Sequence, residues 1–141
     1  MDIVFGQDDA VALWAGSRLG VTFQRPFVAI GIARDGEAIG AAVFNEYYRG
    51  GNIELTFVGD GALTRTVQRA LARYAFGQLQ ASRITIRTAY RNTKVRKLLG
   101  RKGRFEFEGV QKRFYGPDRG DDALVYVLPR EKAGKWLETI E

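Results

Sequence analysis

Residues 52–88 read NIELTFVGDGALTRTVQRALARYAFGQLQASRITIRT, and three periodicities succeed one another within them. Ile53, Leu55 and Phe57 alternate with Glu54 and Thr56, the period of two expected of a half-buried strand. From Thr64 to Gln80, Val67, Ala70, Leu71, Tyr74, Ala75 and Leu79 recur at helical spacing, while Arg65, Arg69 and Arg73 stand four apart on the opposite face. Arg83-Ile-Thr-Ile-Arg-Thr88 returns to alternation. A strand, a helix and a strand in this order predict a parallel pair joined by a right-handed crossover. Thr64, or the loop before it, is the expected cap of the helix.

Working outward, Phe27-Val-Ala-Ile-Gly-Ile-Ala33 and Glu37-Ala-Ile-Gly-Ala-Ala-Val-Phe-Asn45 flank Asp35-Gly36, a dipeptide suited to the positive dihedrals of a tight hairpin turn. A second break at Arg49-Gly50-Gly51 makes these two strands and residues 52–58 an antiparallel meander. Upstream, Asp8 and Asp9 open a segment carrying Val11, Leu13, Trp14 and Leu19, read as a helix ending near Gly20. Downstream, Asn92 begins a short helix with Val95, Leu98 and Leu99 inward, stopping by Gly103. Residues 105–110 and 123–128 read as two more strands, joined through Tyr115–Gly120, and a short helix bearing Trp136 closes the chain. The expected fold is α+β: a mixed, mostly antiparallel sheet of six or seven strands flanked by helices, not a doubly wound parallel sheet.

The chain has 141 residues, enough for one domain, and residues 1–141 are expected to form a single one. With no Cys and no His there is no thiol nucleophile, no Ser-His relay, no disulfide and no Cys/His metal site. Chemistry is left to carboxylates, tyrosines, hydroxyls, backbone amides or a borrowed small molecule, and no metal is expected. The start has no basic leader, and no apolar run approaches a membrane span, so a cytoplasmic location without membrane contact is expected. The net charge of +6 is unevenly spread: twelve Lys and Arg and no acid fall between Asp60 and Glu106, while the remainder carries −6. One part of the molecule is therefore expected to meet anions.

Val58-Gly-Asp-Gly-Ala-Leu-Thr64 is a glycine-bearing junction between strand and helix, where backbone amides and a helix N-terminus favour phosphate. It lacks the lysine of a P-loop and the third glycine of a dinucleotide fingerprint, and a plain chain turn explains its glycines as well.

Strand, glycine loop, helix, strand, an Asn opening a short helix that ends in Gly103-Arg-Phe105, then Glu-Phe-Glu-Gly and a late Asp122-Ala-Leu-Val-Tyr126, together resemble the GNAT acetyltransferase superfamily. The nearest likeness is to its ribosomal-protein-acetyltransferase branch and to small relatives in phages and bacteria; it spans about residues 27–137. The resemblance implies a sheet splayed between residues 52–58 and 83–88, with acetyl-CoA in the gap. It implies pantetheine on the backbone of Thr56 and Val58, and pyrophosphate on the amides of Gly59, Asp60, Gly61, Ala62, Leu63, Thr64 and Arg65. It also implies an Asn92 contact to the pantetheine, with Asn92 as an ordinary helix cap the alternative. The implied reaction moves an acetyl group to a primary amine of a peptide, protein or small molecule by direct attack on the thioester.

Such a transfer needs a neutral amine, a stabilised oxyanion and a proton for the departing thiolate. A backbone N–H near Val58 is assigned to the oxyanion. Glu54, on the polar face of the central strand, is the candidate base, with an ordinary solvated carboxylate as the alternative. Many members of the family carry a tyrosine acid seven residues after the Asn; that position is Leu99 here, so the acid is unassigned. Tyr47, Tyr48, Phe114 and Tyr115 fall at loop edges where an acceptor could dock. The basic excess leaves two other readings: a protein associated with nucleic acid, and a CoA-binding fold without turnover.

Overall fold

A computed structural model describes residues 1–59, 61–101 and 104–134. Asp60, Gly103 and the closing helix with Trp136 lie outside the described residues. The elements are β1 (Asp2–Val4), α1 (Asp8–Leu19), β2 (Val28–Arg34), β3 (Glu37–Asn45), β4 (Asn52–Val58), α2 (Arg65–Ala72), β5 (Arg83–Ala89), α3 (Thr93–Arg101), β6 (Glu106–Gln111) and β7 (Ala123–Pro129). The strands form one seven-stranded sheet in the order β1-β2-β3-β4-β5-β7-β6. Only β4 and β5 run parallel; every other pair is antiparallel.

Local chemistry explains the connections. Asp35 and Gly36 adopt φ of 51° and 80°, the two positive values a two-residue hairpin turn demands between right-twisted strands. Thr64 caps α2, its hydroxyl accepting from the Val67 amide at 3.3 Å. The helix then widens into a π turn over Arg73–Gln78, closed by Leu79 N–H donating to Tyr74 O at 2.9 Å. The wider turn shifts the buried face, so that Ala72 and Phe76 join Val67, Leu71 and Ala75 inside while Ala70 is only half-buried.

The two faces of the sheet differ. The face under α2 is large and apolar, built on Phe44, Ile53, Leu55, Ile84, Tyr126 and Leu128. The other face is covered by α1 only over β2–β4, through Ala12 and Ala15 against Ala29, Ala41 and Val43. Here the structure departs from the sequence reading: α1 buries its small residues, and Leu13 is 76% exposed. Small side chains on both helix and sheet let the backbones approach closely. Likewise α3 turns Leu99 inward but leaves Val95 exposed.

The parallel pair sets up the site. β4 and β5 are bridged only at Asn52–Arg83, Ile53–Ile84 and Glu54–Thr85, although they run on to Val58 and Ala89. Beyond Glu54 each keeps its outer partner, β4 through Val58–Ala41 and β5 through Ala89–Ala123. The strands diverge as ordered strands; they do not fray.

The phase of the ladder tells which backbone groups face this gap. Tyr90 N–H donates to Asp122 O at 2.8 Å and Arg130 N–H to Ser82 O at 2.9 Å, which brackets β5 and assigns Ile84, Ile86 and Thr88 to the bonds with β7. Arg83, Thr85, Arg87 and Ala89 therefore turn their backbone groups toward β4. By the same alternation Ile53, Leu55 and Phe57 face β5, and Glu54, Thr56 and Val58 face β3. Past the last bridge, the Leu55 carbonyl and the N–H and C=O of both Phe57 and Arg87 look into the gap.

Candidate functional site

The gap opens at the C-terminal ends of the parallel strands, where the loop into α2 and the start of α3 flank it. Gly59 makes the loop possible. Its φ is +122°, and a Cβ there would sit 2.3 Å from the Ile39 carbonyl oxygen and 2.7 Å from the Gly40 Cα. The chain is pressed against β3 at this point and can only be glycine. Gly61, at φ +73°, has open space around it. Within the loop the Ala62 amide donates to Gly59 O at 3.3 Å and the Thr64 amide to Ala62 O at 3.0 Å. Among the described residues, the amides of Gly61, Leu63 and Thr66 have no acceptor. Ala62 is fully buried. The described part of the loop is thus not a uniform row of donors: the Ala62 and Thr64 amides are consumed locally, and those of Gly61, Leu63 and Thr66 are presented at the N-terminus of α2.

Asn92 stands across the gap at the end of β5. Its backbone N–H donates to Ala89 O at 2.9 Å, its carbonyl accepts from Arg96 N at 3.1 Å, and its Nδ2 lies 3.3 Å from Thr88 Oγ1. It opens α3 as expected, its side chain leaning back on β5.

Thr56 and Val58 bear on the site differently from the expectation. Their backbone groups turn to β3, opposite Val43 and Ala41, and are spent in the antiparallel ladder. The groups left for a ligand strand are those of Leu55 and Phe57. Side-chain alternation reveals which face a residue occupies, but the direction of its N–H lies in the sheet plane and follows from the pairing partner, so the sequence carried no signal for it.

Glu54 lies on the face away from α2, at the last bridge before the strands part. Its side chain is 14% exposed, and Arg87 Nη2 approaches Glu54 Oε1 at 3.0 Å. The contact is an ion pair outside hydrogen-bond geometry: that Oε1, Arg87 Nε and Asn45 Oδ1 are all buried without hydrogen-bond partners. Asn45 is the β3 residue directly opposite Glu54. Burial pushes the Glu54 carboxyl above its ordinary value; the Arg87 charge opposes this and the Glu46 charge adds to it. A carboxylate held in this way is a better proton acceptor near neutrality than a solvated one.

The loop between β6 and β7 covers this part of the face. Phe114 and Tyr115 stack edge to face with centroids 4.9 Å apart, and the Arg87 guanidinium sits 4.5 Å over the Phe114 ring. Tyr115 Oη donates to the Arg87 carbonyl at 3.4 Å. Arg87 has no assigned role from the sequence, and Tyr115 reads there only as a loop-edge aromatic beside which an acceptor could dock.

Asp121 fixes the loop. It shares a reciprocal cap with Asp118 and pairs with Arg91, while the Tyr115 amide donates to its carbonyl at 2.9 Å. Asp121→Ala is expected to cost about 1–2 kcal/mol, the worth of a lost cap and partly shielded pair, as a lower urea midpoint with unchanged slope.

The basic stretch is partly neutralised from outside. Arg83 pairs with Glu108 at 2.7 Å, Arg87 with Glu54 and Arg91 with Asp121. Arg65 at the start of α2 and Arg73 at the start of the π turn are both exposed. Among the described residues no group of acidic side chains could hold a metal ion, and no helix is long and apolar enough to cross a membrane.

No protein-family model matches the sequence, and no curated protein matches it. Solved structures do match. One, described as an acetyltransferase, has a TM-score of 0.68 at 22% identity, covering 80% of this chain and 62% of its own. This chain therefore spans less than two thirds of that protein's length. A chimera of spermidine N-acetyltransferase SpeG from Vibrio cholerae and hSSAT has a TM-score of 0.68 at 14% identity, covering 98% of this chain and 100% of its own. Campylobacter jejuni N-acetyltransferase PseH, solved in complex with acetyl coenzyme A, has a TM-score of 0.57 at 16% identity, covering 84% and 77%. At these identities the likeness speaks to architecture, and the splayed parallel pair within a mixed seven-stranded sheet is its centre: the chain has the fold of the GNAT-type acetyltransferases.

Proposed function

We propose that the protein is an acetyl-CoA-dependent N-acetyltransferase that moves an acetyl group to a primary amine by direct attack on the thioester. The observation that carries the reading is the gap itself. Two ordered strands part and leave the Leu55 carbonyl, the Phe57 N–H and C=O and the Arg87 N–H turned into the gap, which in a folded protein calls for a partner. A pantetheine arm, with its two amides, supplies one as an added strand. That a structural neighbour holds acetyl coenzyme A supports the choice of ligand.

In this reading the amides of Gly61, Leu63 and Thr66 meet the pyrophosphate, and Asn92 borders the pantetheine. The Phe57 N–H replaces that of Val58 as the donor for the oxyanion, because it is the one aimed into the gap. Glu54 takes the proton of the attacking amine on the sheet face opposite α2. The absence of Cys and His agrees with direct transfer, since an acyl-Cys intermediate is unavailable.

The test is thiol release from acetyl-CoA with a panel of primary amines, including an amino acid amide, a lysine peptide and spermidine, with product masses read in parallel. Catalysed release with a gain of one acetyl group is expected for at least one amine. Acetyl-CoA binding without release from any of them favours the CoA-binding fold without turnover.

A further inference from the structure

The transfer needs an acid for the departing thiolate, and the position where many related folds carry it is Leu99, which is 3% exposed in the core. Each of the six tyrosines can be placed. Tyr126 and Tyr74 pack on the α2 face, Tyr74 against Phe44 with ring centroids 5.3 Å apart. Tyr47 donates its hydroxyl to Leu79 O at 2.5 Å. Tyr48 is exposed in the turn before β4, at the closed end of the parallel pair. Tyr90 lies between the guanidiniums of Arg96 and Arg119, 4.6 and 4.9 Å from its ring, and its hydroxyl accepts from Arg119 at 3.2 Å.

Tyr115 differs. Its hydroxyl donates to the carbonyl of Arg87, and the ladder phase makes that carbonyl one of the groups facing the gap. The hydroxyl therefore stands where β4 and β5 part, on the same face as Glu54. We propose that Tyr115 is the general acid of acetyl transfer, delivering its phenolic proton to the thiolate of CoA; this rests on the transferase reading above.

The step balances as follows. The amine nitrogen forms a bond to the acetyl carbon, and the surplus amine proton goes to Glu54. The C–S bond breaks with its electron pair moving to sulfur, and Tyr115 Oη gives its proton to that sulfur, leaving the free thiol. The phenolate then regains a proton from water as Glu54 gives its own back to water, restoring both groups. Two features of the site suit the role. Burial, with the Glu54 charge adding and the Arg87 charge opposing, pushes the phenol above its ordinary value, so the proton is in place at neutral pH. The 3.4 Å bond to the Arg87 carbonyl is long, so the hydroxyl is oriented yet easily surrendered. Its position is set by the Asp121-braced loop and not by α3, which is why Leu99 is tolerated.

The experiment uses hydroxylamine as acceptor with acetyl-CoA, since this amine is already neutral at pH 7 and isolates the acid's part. Tyr115→Phe is expected to lower thiol release about 100-fold while the acetyl-CoA dissociation constant and melting temperature stay near wild type. Replacing Tyr115 by 3,5-difluorotyrosine, a more acidic phenol, keeps the hydroxyl and is expected to move the alkaline fall in rate to lower pH. Wild-type rates in Tyr115→Phe, or an unmoved alkaline limb in the fluorinated protein, overturn the assignment. Rates are taken above the uncatalysed reaction of hydroxylamine with the thioester; absence of catalysed release by the wild-type protein with hydroxylamine and with every amine of the panel above instead overturns the transferase reading on which it rests.

Discussion

Glu54→Gln lowers the rate of acetylation of an ordinary alkyl amine at pH 7 by about 100- to 1,000-fold, the usual worth of a positioned base. The ammonium form of such an amine has no lone pair, so the site must remove a proton before or during attack. Glu54 stands at the last bridge before the strands part, and its environment raises its affinity for that proton. The sign of the pH effect follows. Because the carboxyl sits above its ordinary value, the wild-type rate should fall as pH drops through a limb higher than that of a solvated glutamate, and Glu54→Gln should lack the limb. Stability runs the other way: the folded state favours the protonated carboxyl, so this group's contribution is present at low pH and lost as pH rises through its folded value. Rate–pH profiles of the two proteins, fitted for the acidic limb, check this; a Gln variant with the wild-type profile shows that Glu54 is only a structural partner of Arg87.

Gly59→Ala is expected to cost about 2–4 kcal/mol of stability and at least tenfold in acetyl-CoA affinity, from backbone strain and overpacking together. The added methyl would meet the backbone of Ile39 and Gly40, and neither can rotate away. The loop must lift from β3, carrying the presented amides with it. Gly61→Ala is the control. It has positive φ but no neighbour within 4 Å, so it should cost about 1 kcal/mol and leave the loop seated. Chemical unfolding and acetyl-CoA titration of both variants check the contrast. Equal effects at the two glycines would mean that the close approach to β3 is not what shapes the loop.

These two residues also show how far the sequence reaches. Gly59 and Glu54 were legible: a glycine after an alternating strand marks a turn, and the polar phase of the same strand marks one face. The strand-helix-strand order, the Asp35-Gly36 turn and the Thr64 cap were equally local signals, and all stand as read. What failed is what local pattern does not encode. Leu13 looks like a core residue by hydrophobicity, yet α1 sits on Ala29 and Ala41, where only Ala12 and Ala15 allow close approach. The π turn after α2 changes the helical phase and brings Phe76 inside. The resemblance implies pantetheine on the backbone of Thr56 and Val58, whereas the hydrogen-bond phase of the sheet turns those groups to β3 and those of Leu55 and Phe57 to the gap.

Tyr115 reaches Arg87 across 28 residues of chain, through a loop whose shape depends on Asp121 and Arg91. No spacing rule brings those residues together. The charge pattern, by contrast, was legible in outline and altered in detail: among the described residues, Arg83, Arg87 and Arg91 of the acid-free stretch are paired with carboxylates outside it.

The most direct measurement of the central claim, that the parted strands hold acyl-CoA, is the thermal unfolding midpoint with and without acetyl-CoA at about 100 times its dissociation constant. Linkage then gives about 2.7 kcal/mol, or a rise on the order of 10 °C for a chain of this size. A rise of that order, reduced in Gly59→Ala, is the expected result; an unchanged midpoint in saturating acetyl-CoA would contradict it.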